Sequence, residues 1–347
     1  MLRRLAPTLA AILIAALGCA PDESPTQPGG AEEPGAGAPA LAAVANSWTT
    51  VSPGMDVSRI VAGTAPNAAG QELVYTFGGF DGFNSSLNRI GTYNPATDIW
   101  TYRDSPRFET GRFWANGVGK LGSKLYFSGG YNSIDVIPIS TRTLWAYDYG
   151  HNLITRKADM PIYSAEGVSG VINGKLYVLP GVCGGDNYPQ PGYCADPRTR
   201  RFFRYDPATN TWISRARVPH FHRRGVAGVI NGKFYVAGGF VDEFQPSADL
   251  DVYDPATNTW RTLAPLPAAG GGLGAVIHAG LFVVSGLHSY FYNPATNKWT
   301  IKALPKTFHS GLARAAVAGK VYLFATGGSH PGQFDEELPN GTEKYTP

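Results

Sequence analysis

A chain of 347 residues with Gly 43 and Pro 27, beside Tyr 18 and Phe 17, has room for one large domain and suits many short strands and turns better than helices. The formal charge is +3, and Arg3 and Arg4 supply two of those charges, leaving +1 for the rest. That balance excludes an electrostatic case for a nucleic-acid partner.

Taken in order, residues 1–18 have the parts of an export signal. Arg3 and Arg4 form the positive end, Leu9 through Leu17 the apolar core, and Gly18 precedes Cys19. The run is too short to span a bilayer as a mature helix. Ala16-Leu17-Gly18-Cys19 resembles a bacterial lipobox, although Ala and Leu stand where those signals usually place Leu and a small residue. The resemblance implies that Cys19 becomes a lipidated first residue, anchoring an exported protein in a bacterial cell envelope or at the cell surface. An ordinary cleaved signal is the alternative. Residues 19–45 then read as a tether rich in Pro, Gly, Ala and Glu, with nothing large to offset its ordering entropy.

From residue 46 to the end the chain repeats itself. A Tyr followed seven residues later by Trp occurs as Tyr93/Trp100, Tyr205/Trp212, Tyr253/Trp260 and Tyr292/Trp299, and Tyr147/Ile154 keeps the spacing without the Trp. Between the markers stand near-constant turns such as DPATNT at 206–211 and 254–259, where Pro presets one dihedral and Asp or Asn caps the loop. A glycine pair closes an apolar run at 78–79, 129–130, 238–239 and 327–328, with degenerate forms at 180–181 and 285–286. Another strand precedes each run, expected at 111–118, 167–172, 225–230, 272–277 and 311–317. Asn173-Gly174 and Asn231-Gly232 are hairpin signals.

Six ordered copies of a glycine doublet after an apolar strand, with spaced Tyr and Trp, resemble the kelch repeat over about residues 48–347. The resemblance implies an all-β, six-bladed β-propeller with one four-stranded sheet per repeat. The last copy stops at Tyr345-Thr346-Pro347, before any Trp, while the first segment after the tether is Asn46-Ser47-Trp48. An N-terminal strand through Trp48 is therefore expected to complete the last blade and close the ring. The fixed spacing assigns Trp48, Tyr93, Trp100, Tyr147, Tyr205, Trp212, Tyr253, Trp260, Tyr292, Trp299 and Tyr345 to the structural core rather than to ligand stacking.

Chemistry-bearing residues are scattered. Cys183 and Cys194 bracket an insertion with Asp186, Tyr188 and Tyr193, and export favours a disulfide over free thiols or a metal pair. Propeller first strands line a central channel, and near its mouth the expected side chains are Arg59, Arg112, Glu166, His222, Arg223, Arg224, His278, His309 and Arg314. Arginines there suit carboxylates or anionic sugars, and a neighbouring Glu or His could move a proton. No P-loop, HExxH or GxSxG pattern is present, and GGGLG at 270–274 precedes a β run. Asp81-Gly82 and Asp242-Glu243 belong to blade loops.

The expected function is non-catalytic recognition of a protein or glycan by a monomer without cofactor or resident metal, held to a membrane only by its lipid. The alternative is a carbohydrate-active enzyme in the funnel, an epimerase or lyase on an anionic sugar, since some bacterial kelch proteins resemble sialic-acid epimerases.

Overall fold

Residues 226–262 show how one repeat folds. Val226–Ile230 and Lys233–Ala237 pair across an Asn231-Gly232 turn, and Leu250–Asp254 and Thr259–Thr262 continue the antiparallel sheet. Asn231 (φ 50°) and Gly232 (φ 72°) both take the left-handed conformation that such a two-residue turn requires. In the computed structural model, which describes residues 45–54, 57, 59–79, 88–104, 115–133, 138–182, 200–241, 245–307, 309, 311–326 and 341–347, six such four-stranded sheets occur. They form a six-bladed β-propeller.

The first strands Val61–Pro66, Val118–Leu121, Val168–Ile172, Val226–Ile230, Leu273–Ile277 and Gly311–Val317 stand side by side around the axis, and the last returns to the first. Glycine makes that closeness possible. A Cβ on Gly170 or Gly228 would overlap Val229 or Val276 of the next blade. In blade 2, where a strand is expected at 111–118, the first strand among the described residues is Val118–Leu121, and Gly117 turns the chain with φ 84° immediately before it, while 111–114 lie outside the described residues. Blade 2 also carries a ribbon of Tyr131–Ser133 with Pro138–Ser140, which its sequence did not announce.

Ring closure follows the sequence expectation. Ser47–Val51 pairs with Thr342–Thr346, placing Trp48 opposite Tyr345. That register matches Trp212 opposite Tyr205, Trp260 opposite Tyr253 and Ile154 opposite Tyr147.

The repeated aromatics divide the work between them. All six tyrosines are buried, whereas Trp100, Trp212, Trp260 and Trp299 are only half-buried. Each Tyr hydroxyl donates to a turn residue in the left-handed conformation, as Tyr253 does to Asn258 Oδ1 at 2.8 Å. The same oxygen accepts the Ala216 backbone N–H of the preceding blade at 3.1 Å, and Trp260 Nε1 donates to the Ala216 carbonyl at 2.8 Å. One residue of blade 3 is thus held at both its N–H and its C=O by blade 4. This clasp recurs at Ser52 with Asp98 and Trp100, and at Ala158 with Asn210 and Trp212. It recurs again at Ala264 with Asn297 and Trp299, and at Ala303 with Asn46 and Trp48. Between blades 1 and 2 the indole is replaced by Ile154, which has no such donor.

Candidate functional site at the channel mouth

At one end of the propeller a lead-in segment reaches each first strand. Two residues ahead of those strands stand Arg59, Asn116, Glu166, Arg224, Gly271 and His309. Arg59, Glu166 and Arg224 have φ of 61°, 59° and 55°. Long side chains rarely occupy that left-handed region, so three charged residues are held where glycine would sit without strain.

These segments rim a cavity of about 610 Å³ in the central channel, lined by Ala115, Glu166, Arg224, Phe240, Gly272 and His309 together with residues of the first strands. Glu166 anchors the charged cluster, with its side chain only 1% exposed. Arg224 grips it in a bidentate pair, Nε to Oε2 at 2.8 Å and Nη2 to Oε1 at 2.9 Å. Arg223 donates to the same two oxygens. Burial pushes the Glu166 carboxyl up, but the hydrogen bonds and charges of Arg223 and Arg224 outweigh it and hold the group below its ordinary range. Arg59 shows the electrostatic consequence. Burial, and then the positive charge of Arg224, lower its guanidinium pKa, only partly countered by Glu166. Among the described residues, three guanidiniums stand near one carboxylate and leave a surplus of positive charge there.

The segment carrying the two adjacent arginines is pinned from below. His222 is buried with Nδ1 2.7 Å from the Gly238 carbonyl oxygen and Nε2 3.1 Å from Asp251 Oδ2. Asp251 also accepts Thr262 Oγ1 at 2.8 Å and lies beside the His220 ring. Burial raises the Asp251 carboxyl, and the bonds from His222, Thr262 and His220 bring it below its usual range. Blade 6 repeats the device. Glu343 accepts the backbone N–H groups of Lys306 and Thr307 and stands 2.9 Å from His309 Nε2.

The comparisons with known proteins fit this architecture. The family model for the kelch motif matches residues 65–106, 166–217 and 223–267, which fall in blades 1, 3 and 4. The protein is a six-bladed β-propeller that carries kelch motifs in three of its blades. The chain is similar to Kelch-like protein 38 of Danio rerio, 26% identical over 154 residues, and to that of Rattus norvegicus, 29% identical over 153. Those matches take in 44% of this chain but only 23% of the length of the relatives. The structure of YjhT superimposes with a TM-score of 0.66 at 14% identity, covering 84% of this chain and 94% of that one, a likeness of fold.

The channel mouth collects Arg59, Glu166, Arg223 and Arg224 from the sequence candidates. His309 also lines the cavity, with its ring buried against Glu343. His222 serves Asp251 and does not line it. Arg314 lies within a first strand, its Nη1 4.0 Å from Glu72, and His278 turns the hairpin at the far end of its strand. Arg112, Cys183, Cys194 and Cys19 lie outside the described residues, as do Asp186, Tyr188 and Tyr193. Sequence reasoning missed Asp251 and Glu343. Their signal was available two residues before the repeat Tyr, where other blades hold Gly91, Trp145, Phe203 and Tyr290.

Proposed function

We propose that this protein is a non-catalytic binding module that takes an acidic segment of a protein partner at the positively charged channel mouth. The observation that carries this reading is the gathering of Arg59, Arg223 and Arg224 around the carboxylate of Glu166, beside an open cavity. Guanidiniums recognise carboxylates by paired, charge-assisted hydrogen bonds. Kelch motifs and likeness to kelch-like proteins add support for a protein ligand.

Acid–base chemistry is less favoured by the same geometry. Both Glu166 oxygens are taken by arginines, and the carboxyl is held ionised, so it has no proton to give.

Around this module we place an exported protein anchored through lipidated Cys19 in a bacterial envelope, with a Cys183–Cys194 disulfide closing the blade 3 insertion. The arginine-led leader and the polar tether support the first, and the pairing of cysteines within one insertion supports the second. Mass analysis of the mature N-terminus and of non-reduced peptides tests both. An unmodified end elsewhere, or free thiols, would reject them.

The binding reading is tested by selecting a phage-displayed library of random decapeptides on the full-length protein. Clones enriched in Asp and Glu, lost on Arg224→Gln and released by salt, are expected. Clones without acids, or acidic clones indifferent to Arg224→Gln, would overturn it.

A further inference from the structure

The charged mouth is not the only recess at this end of the propeller. A notch of about 160 Å³ opens between blades 5 and 6, and it shares Gly272, Leu273 and His309 with the channel cavity. Its walls are largely aliphatic, with Leu273, Val284, Leu304, Pro305 and Ala325 among them. Leu287, at the tip of the short turn joining the second and third strands of blade 5, stands on its rim 70% exposed. A leucine so exposed gains little from burial in the free protein. Blade 5 has the shortest such connection, with Ser285 followed two residues on by Leu287 and then His288 in the next strand.

We infer that the notch is the second half of the binding site, and that the partner segment carries an aliphatic side chain within about three residues of the acid that enters the mouth. This rests on the reading of the mouth as a carboxylate site and adds direction and sequence preference to it. The two recesses share Gly272, Leu273 and His309 in their walls, and an extended peptide advances roughly 3.3–3.6 Å per residue, so side chains a few residues apart on one strand reach both. Volume also fits. The notch has room for one branched aliphatic side chain, and its largely aliphatic wall suits that group better than a ring of hydroxyls. Among the described residues its lining holds no Trp, Tyr or Phe, the usual platform for a pyranose, and Phe240 is the only such residue lining the channel. An acid beside Leu, Ile, Val or Met therefore matches the pair of recesses better than an anionic sugar.

The anchor of the notch is stiff. Glu343 fixes the backbone of Lys306 and Thr307, so the wall that Leu304, Pro305 and His309 provide is set before any ligand arrives.

The test uses full-length protein and a phage-displayed library in which a central Glu is fixed and the four residues on each side are randomised. Retention with enrichment of Leu, Ile, Val or Met on one side only is the expected result. Two synthetic peptides then follow, the consensus and the same sequence with its aliphatic residue changed to Ala. Leu287→Ser, on an exposed turn where folding is not at stake, should weaken the first about fivefold or more and leave the second unchanged. Arg224→Gln should weaken both at least tenfold. Retention of the library without a flanking preference, or equal effects of Leu287→Ser on both peptides, overturns the notch and leaves the mouth standing. No retention of the fixed-Glu library overturns the mouth and the notch with it, as does retention of polygalacturonate in place of every peptide.

Discussion

The outer rim and the channel mouth are built by opposite rules. At the rim, one arrangement of Tyr, left-handed Asx and Trp repeats at five junctions, each holding the N–H and C=O of one residue in the blade before. At the mouth, Arg59, Asn116, Glu166, Arg224, Gly271 and His309 occupy corresponding places with no two neighbours alike. Repetition marks what every blade needs in order to stand beside the next. Departure from repetition, at positions that cost backbone strain, marks what the ring was closed to present.

The largest test of the rim removes its closure. Deleting Ser47–Val51 takes the fourth strand from blade 6 together with Trp48, whose ring packs on Tyr345 and Phe282. Loss of a cooperative unfolding transition is expected, whereas deleting residues 20–42 should leave it unchanged. A deletion protein that still melts as one unit would show that the ring does not depend on that strand. Next, Asn258→Ala removes the acceptor for both Tyr253 and Ala216 and leaves alanine at φ 56°. A loss of about 2–3 kcal/mol in urea unfolding is expected. Arg224→Gln provides the contrast. Its side chain is 38% exposed, and Arg223 still serves Glu166, so it should cost no more than about 1 kcal/mol. If the mouth variant destabilised as much as the rim variant, the division of labour would fail.

Acid separates the buried carboxylates from the neutral clasps. Glu166, Asp251 and Glu343 are all held below their ordinary range by their partners against the opposing effect of burial. Unfolded carboxylates titrate near about 4. A depressed folded value means that the stabilisation is fully present above that range and disappears as pH falls through the folded values. The thermal midpoint should therefore be flat above about pH 5 and fall progressively in acid. Asp251→Asn should lower the midpoint at neutral pH and flatten the acid slope. An unchanged slope would mean that Asp251 is not one of the groups whose protonation unfolds the protein.

How much of this the sequence disclosed follows from the same division. Glycine doublets, Tyr and Trp recur at fixed spacing because each blade meets the same steric demand, so blade number and closure through Trp48 could be read directly. The clasp was half visible. Asn210, Asn258 and Asn297 stand at one place in successive turns, yet their bonds run to another blade and only the ring brings the partners together. At the mouth, Arg59, Glu166 and Arg224 stood out as charges ahead of first strands, while the pairing of Glu166 with residues 57 and 58 positions away was set by the closed ring. The start of the first strand in blade 2 escaped because Gly117 ends one conformation and begins another within an apolar stretch.

The smallest expected effect bears on the one junction where the rim departs from its rule. Ile154 fills the place of the indole and packs in the same core as Tyr147 and Leu125, so the junction of blades 1 and 2 keeps apolar packing but lacks the indole hydrogen bond. Such a bond is worth about 1 kcal/mol net, which corresponds to roughly a fivefold change in a local opening equilibrium. Native-state hydrogen exchange should therefore find the amides of Leu153–Lys157 about fivefold less protected than those of Thr211–Arg215, where Trp212 donates to Ala158. Trp212→Phe keeps the ring and removes the donor, and should bring the second strand to the level of the first. Equal protection in the unaltered protein, or no change on Trp212→Phe, would assign the cohesion of the rim to packing alone and reduce the clasp to a consequence of blade geometry.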